Sequence, residues 1–348
     1  MKTLTKEETL SLLTGASALG CGGGGELEWG KYFVNTAFKI NTYLPLIEIA
    51  ELKEKDLIAI VGLVGGASAN KLPDKDLLLA IENSLLLLEK HINSSITAIL
   101  PSEIGAGNIG APLYVAMKLG KYLIDGDTCG RAKPETSIST TTLAGISPTP
   151  LCAVNQMKES LILNNLDSIK VEKILRFFAI FSEGVCAVTR CVAPAGDYKK
   201  AVISGSISLA FKIGEILLKT NYSFLKERLV NLLPAYKSFE GIVIENKKKD
   251  GKDFIEGEIK IKGEKGILRV WYKNEFLIAW LNDSVWTACP DAIIILDLVT
   301  RQGISNWKPE NFYINKEVLV LTKKAHPLWY TKEGQALFSP GHFGFEEE

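Results

Sequence analysis

The chain has 348 residues, 47% hydrophobic and 23% charged, and its 40 basic and 40 acidic residues cancel to a formal charge of zero. That balance suits a globular protein of two or three domains with a sizeable core; it lacks the basic footprint that phosphate-backbone binding needs, so nucleic acid is not an expected partner. Met1 to Glu8 is polar and charged, unlike a signal peptide, and no apolar run approaches the roughly 20 residues of a membrane helix, so a cytoplasmic, membrane-free protein is expected.

Leu4 to Leu19 predicts a helix, with Thr5 as N-cap before Lys-Glu-Glu and a stop at Gly20. Cys21 and Gly22, Gly23, Gly24 and Gly25 follow, and Glu26 to Lys39 predicts the next helix. Such a glycine run permits φ > 0 and close backbone approach. It can offer several N–H groups to an anion at a helix start, or be a linker or a tight helix contact. Its spacing is neither GxGxxG after a strand nor a P-loop, so nucleotide binding does not follow.

Asp56 to Val64 is a continuous Ile/Val/Leu run, as in a strand buried on both faces, and ends in Gly65-Gly66-Ala67-Ser68. Asp74 to His91 predicts a helix with Asp74 as N-cap. Ser95 to Leu100 predicts a strand running into a loop that carries Glu103, Gly105, Gly107 and Asn108. Ala111 to Leu119 predicts a helix and Lys121 to Ile124 a strand. This β-α-β rhythm predicts a parallel α/β sheet. Ligands of such sheets bind outside the carboxyl ends of the strands. Three ends can line one crevice: Gly65 with Gly66; Glu103, Gly105, Gly107 and Asn108; and Asp125 with Asp127.

Val171 to Phe181 and Ala201 to Leu218 read as helical, with the apolar, small-residue stretch Gly184 to Ala195 between them. The division expected is an α/β domain over 1–168, a helical connector over 169–236 and a smaller β-rich module over 237–348. Phe239–Glu245, Asp253–Ile261, Gly266–Tyr272, Phe276–Leu281, Ser284–Ala288, Asp291–Asp297 and Glu317–Thr322 read as short strands of a small barrel or sandwich. Asn246 to Lys252 reads as a solvated hairpin tip. The six cysteines form no CxxC pair, so free thiols rather than structural zinc are expected.

The densest polar stretch is Asp125-Gly-Asp-Thr-Cys-Gly-Arg-Ala-Lys-Pro-Glu135. Asp125 and Asp127 can converge on a hard cation or hold a raised pKa for acid–base work; equally, Asp125 can cap a turn and Asp127 pair with Arg131. The Arg131 fork matches a carboxylate or urea-type carbonyl, or pairs with Glu135, which is itself a general base or a loop cap. Glu103 at a helix start is stabilised by the helix dipole. The N–H groups of Gly105 and Gly107 can stabilise an oxyanion. Cys129 is a nucleophile only if Arg131 depresses its pKa, and His326 or His342 can join a carboxylate cluster in space.

The Gly20–Gly25 run, the Asp-x-Asp-x-x-Gly-Arg-Ala-x-Pro-Glu stretch and Ala144-Gly-Ile-Ser-Pro-Thr-Pro150 resemble the N-terminal domain of the S-methyl-thiohydantoin desulfurase-like family. Asn274-Glu275, Pro290-Asp291 and Phe343-Gly344 fall where that family's β-rich domain has similar residues, so the resemblance covers nearly the whole chain. It departs at Cys129, where the family pattern has Met. The resemblance implies a Rossmann-like α/β domain followed by a β-barrel-like domain. It also implies a link to hydantoin and thiohydantoin metabolism. The expectation is a hydrolase acting on a small cyclic amide, with Asp127, Arg131 and Glu135 as the catalytic group. Asn108 would hydrogen-bond the ring. A divalent metal is a candidate cofactor, and further copies of the chain are expected partners. The alternative is a non-catalytic metabolite-binding subunit of an amidohydrolase.

Overall fold

The capping signals of the sequence become the joints of the first sheet. A computed structural model describes residues 1–65, 73–182, 184–249 and 254–346. A short strand β1 (Lys2–Leu4) leads into helix α1 (Lys6–Leu19). Thr5 caps that helix in a reciprocal box: its hydroxyl accepts from the Glu8 N–H at 3.3 Å, and the Glu8 carboxylate accepts from the Thr5 N–H at 2.8 Å. Then come α2 (Leu27–Ala37), β2 (Leu44–Ile47), β3 (Leu57–Gly65), α3 (Lys75–Ile92), β4 (Ala98–Pro101), α4 (Ala106–Leu119), β5 (Tyr122–Ile124) and β6 (Gly126–Asp127). Asp74 caps α3, accepting from Asp76 N at 3.0 Å and Leu77 N at 2.9 Å. The chain continues through α5 (Thr140–Leu143), β7 (Leu151–Val154), β8 (Ser160–Leu163), α6 (Ser168–Phe181), β9 (Val185–Pro194), α7 (Ala195–Tyr198), β10 (Ile203–Ser204), α8 (Ser206–Lys219) and α9 (Tyr222–Leu232).

The first large sheet has the order β1-β2-β5-β4-β3-β9-β7-β8. The parallel sheet expected from the β-α-β rhythm holds for β2, β5, β4 and β3. The other strands are antiparallel, so the sheet is mixed. The stretch 184–195 is strand β9, beside β3 at the sheet's centre rather than part of a helical connection. Helix α4 begins at Ala106, earlier than the expected Ala111. The glycines Gly66 and the Ala67-Ser68 pair lie outside the described residues.

The second large sheet is antiparallel: β11 (Ser238–Lys249), β12 (Glu256–Gly263), β13 (Gly266–Lys273), β14 (Glu275–Leu281), β15 (Ser284–Ala288), β16 (Ala292–Asp297), β17 (Gln302–Gly303) and β18 (Glu317–Lys323), then helix α10 (Lys332–Leu337). Each predicted strand is present. The order β15-β14-β13-β12-β11-β18-β16-β17 leaves β15 and β17 as ends, and no ladder among the described residues joins them into a closed barrel. β11 and β12 pair out to Lys249 and Glu256, as a hairpin requires; of the solvated tip expected over 246–252, residues 246–249 are instead the end of β11, with Asn246 buried, and 250–252 lie outside the described residues. One apolar cluster runs from Leu12, Phe33 and Leu113 into Phe276, Ile293 and Leu319, so the two sheets share a core. No helix among the described residues is long and apolar enough to cross a membrane.

Candidate functional site

The carboxyl ends of β3 and β4 open into a cleft of about 830 Å³, which the glycine loop, the Lys133–Thr136 segment and the start of β14 complete. Two of the three strand ends expected to share one crevice, those of β3 and β4, line it, and the Asp125–Asp127 end of β5 does not. Of the expected residues, Gly24, Gly25, Glu103, Asn108 and Glu135 line it, as does Gly65.

The others are spent on architecture. Asp125 points to the first turn of α8, accepting from Ser208 N at 3.0 Å and Ser208 Oγ at 2.5 Å. Asp127 is fully buried and closes the next turn, its Oδ2 accepting from Cys129 N at 2.8 Å and Gly130 N at 2.7 Å. Arg131 pairs with neither Asp127 nor Glu135. It donates to the backbone carbonyls of Ala132 at 3.0 Å, Phe276 at 2.6 Å and Asp291 at 2.6 Å. Burial pushes the Cys129 thiol up to about 12, which leaves no thiolate at neutral pH.

The two glycine loops meet backbone to backbone. Gly24 O accepts from Gly107 N at 3.1 Å and Asn108 N at 3.0 Å. A Cβ on Gly105 would stand 2.3 Å from Gly24 Cα. Gly107's N–H is thus taken by the neighbouring loop, and the glycines serve close approach. Gly22 and Gly23 pack under β14, where a Cβ on Gly23 would stand 1.9 Å from Glu275 Oε1. What the glycine loop holds is the chain's own carboxyl: Glu275 Oε1 accepts from Gly24 N at 3.3 Å.

Glu275 was not among the expected site residues, although Asn274-Glu275 carried part of the family resemblance. It is buried in the cleft wall. Burial, then the nearby Glu103, push its carboxyl well above the ordinary 4.5. Its Oε2 has no hydrogen-bond partner among the described residues, which favours the protonated form. Glu103 is also raised by burial, but Lys133 and Asn108 oppose the shift. Asn108 Nδ2 donates to Glu103 Oε1 at 2.6 Å, and Lys133 N to Oε2 at 3.3 Å. Both carboxyls are thus raised, Glu275 the further of the two. Lys133, a second residue missed, is buried in the same wall. Desolvation lowers its pKa, and Nζ donates to Thr128 Oγ1 at 2.9 Å.

At another part of the wall, Glu135 meets Lys273 Nζ at 3.0 Å and His342 Nε2 at 3.1 Å. His342 therefore does join a carboxylate, whereas His326 lines a different cavity. Burial pulls the Glu135 carboxyl up, but His342 and Lys273 outweigh it and hold it down at about 2. Trp29 and Trp307 add apolar surface. Among the described residues no three His, Cys, Asp or Glu side chains converge as a metal ion requires, and Glu103's oxygens already face an amide and a backbone N–H. The cleft does not fit the divalent metal considered from sequence.

Two family models together cover residues 7 to 348: the S-Me-THD-like N-terminal domain matches 7–165 and the S-Me-THD-like C-terminal domain 166–348. A crystal structure of a protein from Chromobacterium violaceum is similar, with a TM-score of 0.81 and 19% identity over 99% of this chain and 98% of that one. At that identity the likeness shows a shared fold. No curated protein matches the chain.

Proposed function

The chain belongs to the S-Me-THD-like family, and from that premise we propose that it is a hydrolase acting on a small cyclic amide, an S-methyl-thiohydantoin-like ring. The observation that carries the reading is the pair Glu103 and Glu275, two buried carboxyls in one cleft wall, both raised by burial, Glu275 the further, while Glu103 faces the Asn108 amide and the Lys133 N–H. Such a difference assigns a base and an acid. Water attacks the ring carbon that bears the S-methyl group, and Glu103 takes one of its protons. As the carbon–sulfur bond breaks, Glu275 protonates the departing sulfur to give methanethiol. The remaining hydroxyl proton passes to the ring nitrogen as the new carbonyl forms. The proton on Glu103 then returns to Glu275. Asn108, whose amide nitrogen is spent on Glu103, accepts from a ring N–H through its oxygen. In this reading Asp127 and Arg131 position the loop from behind the wall, and Glu135 stays an anion beside the ring.

The test is methanethiol release from an S-methyl-thiohydantoin by the purified full chain. Glu103→Gln and Glu275→Gln should each lower turnover about 100-fold or more while calorimetry still detects ring binding. Turnover should also fall as pH rises through the raised Glu275 pKa, because the acid must be protonated. Tight ring binding without thiol release by the wild type would replace catalysis with the metabolite-binding role. No ring binding at all would remove the cleft assignment itself.

A further inference from the structure

The Asp125–Glu135 stretch separates two cavities. Lys133 to Glu135 face the cleft. Cys129, Gly130 and Arg131 face a second cavity of about 570 Å³, closed on its other side by the end of β18 and the turn after it. Among the described residues the lining of this second cavity holds Arg131, Lys323, Lys324 and His326, and no acidic residue.

Two of these cations are already matched. Arg131 is taken up by backbone carbonyls, and Lys324, at the exposed rim, pairs with Asp291 at 3.0 Å. Lys323 differs. Its ammonium donates to the Lys324 carbonyl at 3.3 Å, and among the described residues no carboxylate stands within ion-pair distance of it. Burial lowers its pKa; Asp127, the strongest of the opposing charges, acts from farther off. Lys323 is half-buried, its ammonium bond lying on the solvent side, and a partly desolvated cation gains from a counter-charge that joins it. His326, held at the head of the turn by its Nδ1 accepting from Leu328 N at 3.4 Å, stands in the same lining.

We propose that this second cavity is a binding site for a small anion, a carboxylate or a phosphate, with Lys323 as its counter-charge and His326 as a flanking hydrogen-bond partner. The site is separate from the cleft but shares the Asp125–Glu135 stretch with it. Its occupant therefore bears on the segment that carries Lys133 and Glu135.

Calorimetric titration of the full chain with inorganic phosphate, and separately with acetate, tests the proposal and separates the two sources. One of the two should bind saturably, one per chain. Lys323→Met should weaken that binding about tenfold or more, and Lys324→Gln at the rim by less than about threefold. Glu275→Gln, in the other cavity, should leave it unchanged. A second measurement needs no variant: saturating anion should slow amine acylation of Lys323, followed by peptide mass mapping, and leave an exposed lysine such as Lys200 untouched. Absence of saturable binding by both anions, wild-type affinity in Lys323→Met, or unchanged acylation of Lys323 would each overturn the assignment.

Discussion

At the scale of single residues, Glu135 shows how partners outweigh burial. Its carboxyl is largely enclosed, which by itself would favour the neutral acid, yet Lys273 and His342 keep it ionised down to about 2, below the ordinary 4.5. A folded pKa below the unfolded one contributes stability that is present above about 4.5 and is lost as pH falls through about 2. Removing one partner should narrow that gap. In His342→Ala the Glu135 titration, followed by carboxyl carbon NMR, should move up by roughly one pH unit, and acid unfolding should begin at a higher pH than in the wild type. An unchanged acid midpoint together with an unmoved titration would mean that Lys273 alone holds the charge. Sequence could nominate His342 for a carboxylate, but not choose Glu135, which lies 207 positions away along the chain.

At the scale of elements, legibility followed local chemistry. Thr5 and Asp74 marked their helices because a cap acts over three residues. The strands of the antiparallel sheet were legible through turn residues and alternation. β9 was not: a ten-residue run, apolar and small apart from Arg190, fits either a helix or a fully buried strand. The start of α4 was missed because glycine is a poor helix former. Here packing prevails, since a Cβ on Gly30 of α2 would stand 2.3 Å from Ala106 O, and the two helices meet across small residues. The same device joins α1 to α8, where a Cβ on Gly15 would stand 1.8 Å from Ala210 O and one on Gly214 1.8 Å from Ser11 O. Gly15→Val must therefore separate the two helices. It should destabilise the fold by about 1–3 kcal/mol or more, read as a lowered midpoint in urea. A midpoint within error of the wild type would mean that the two helices sit farther apart than described.

At the scale of the whole molecule, the cleft belongs to the seam between the two sheets, which is why its chemistry was only half legible. The strand ends of the first sheet supplied Glu103 and Asn108, where β-α-β order made them predictable. Glu275 comes from the second sheet, and no local pattern ties it to Gly24, 251 positions away. Arg131 holds that seam: a buried guanidinium from the first half reaches the carbonyls of Phe276 and Asp291 in the second at 2.6 Å each. This gives Arg131 a role that can be told apart from gripping a ligand. In Arg131→Lys a single ammonium cannot reproduce the fork, so at least one buried carbonyl loses its donor, at a cost of about 1–3 kcal/mol. If Arg131 serves the seam, calorimetric unfolding should shift down or split into two transitions, while ring binding at low temperature stays within about threefold of the wild type. If it grips the ligand, binding should fall by tenfold or more with the unfolding profile unchanged. Because the Arg131 donors are directed at carbonyls, and Lys133, two residues on, and Arg176 are the basic groups in the cleft lining, the first pattern is the one expected.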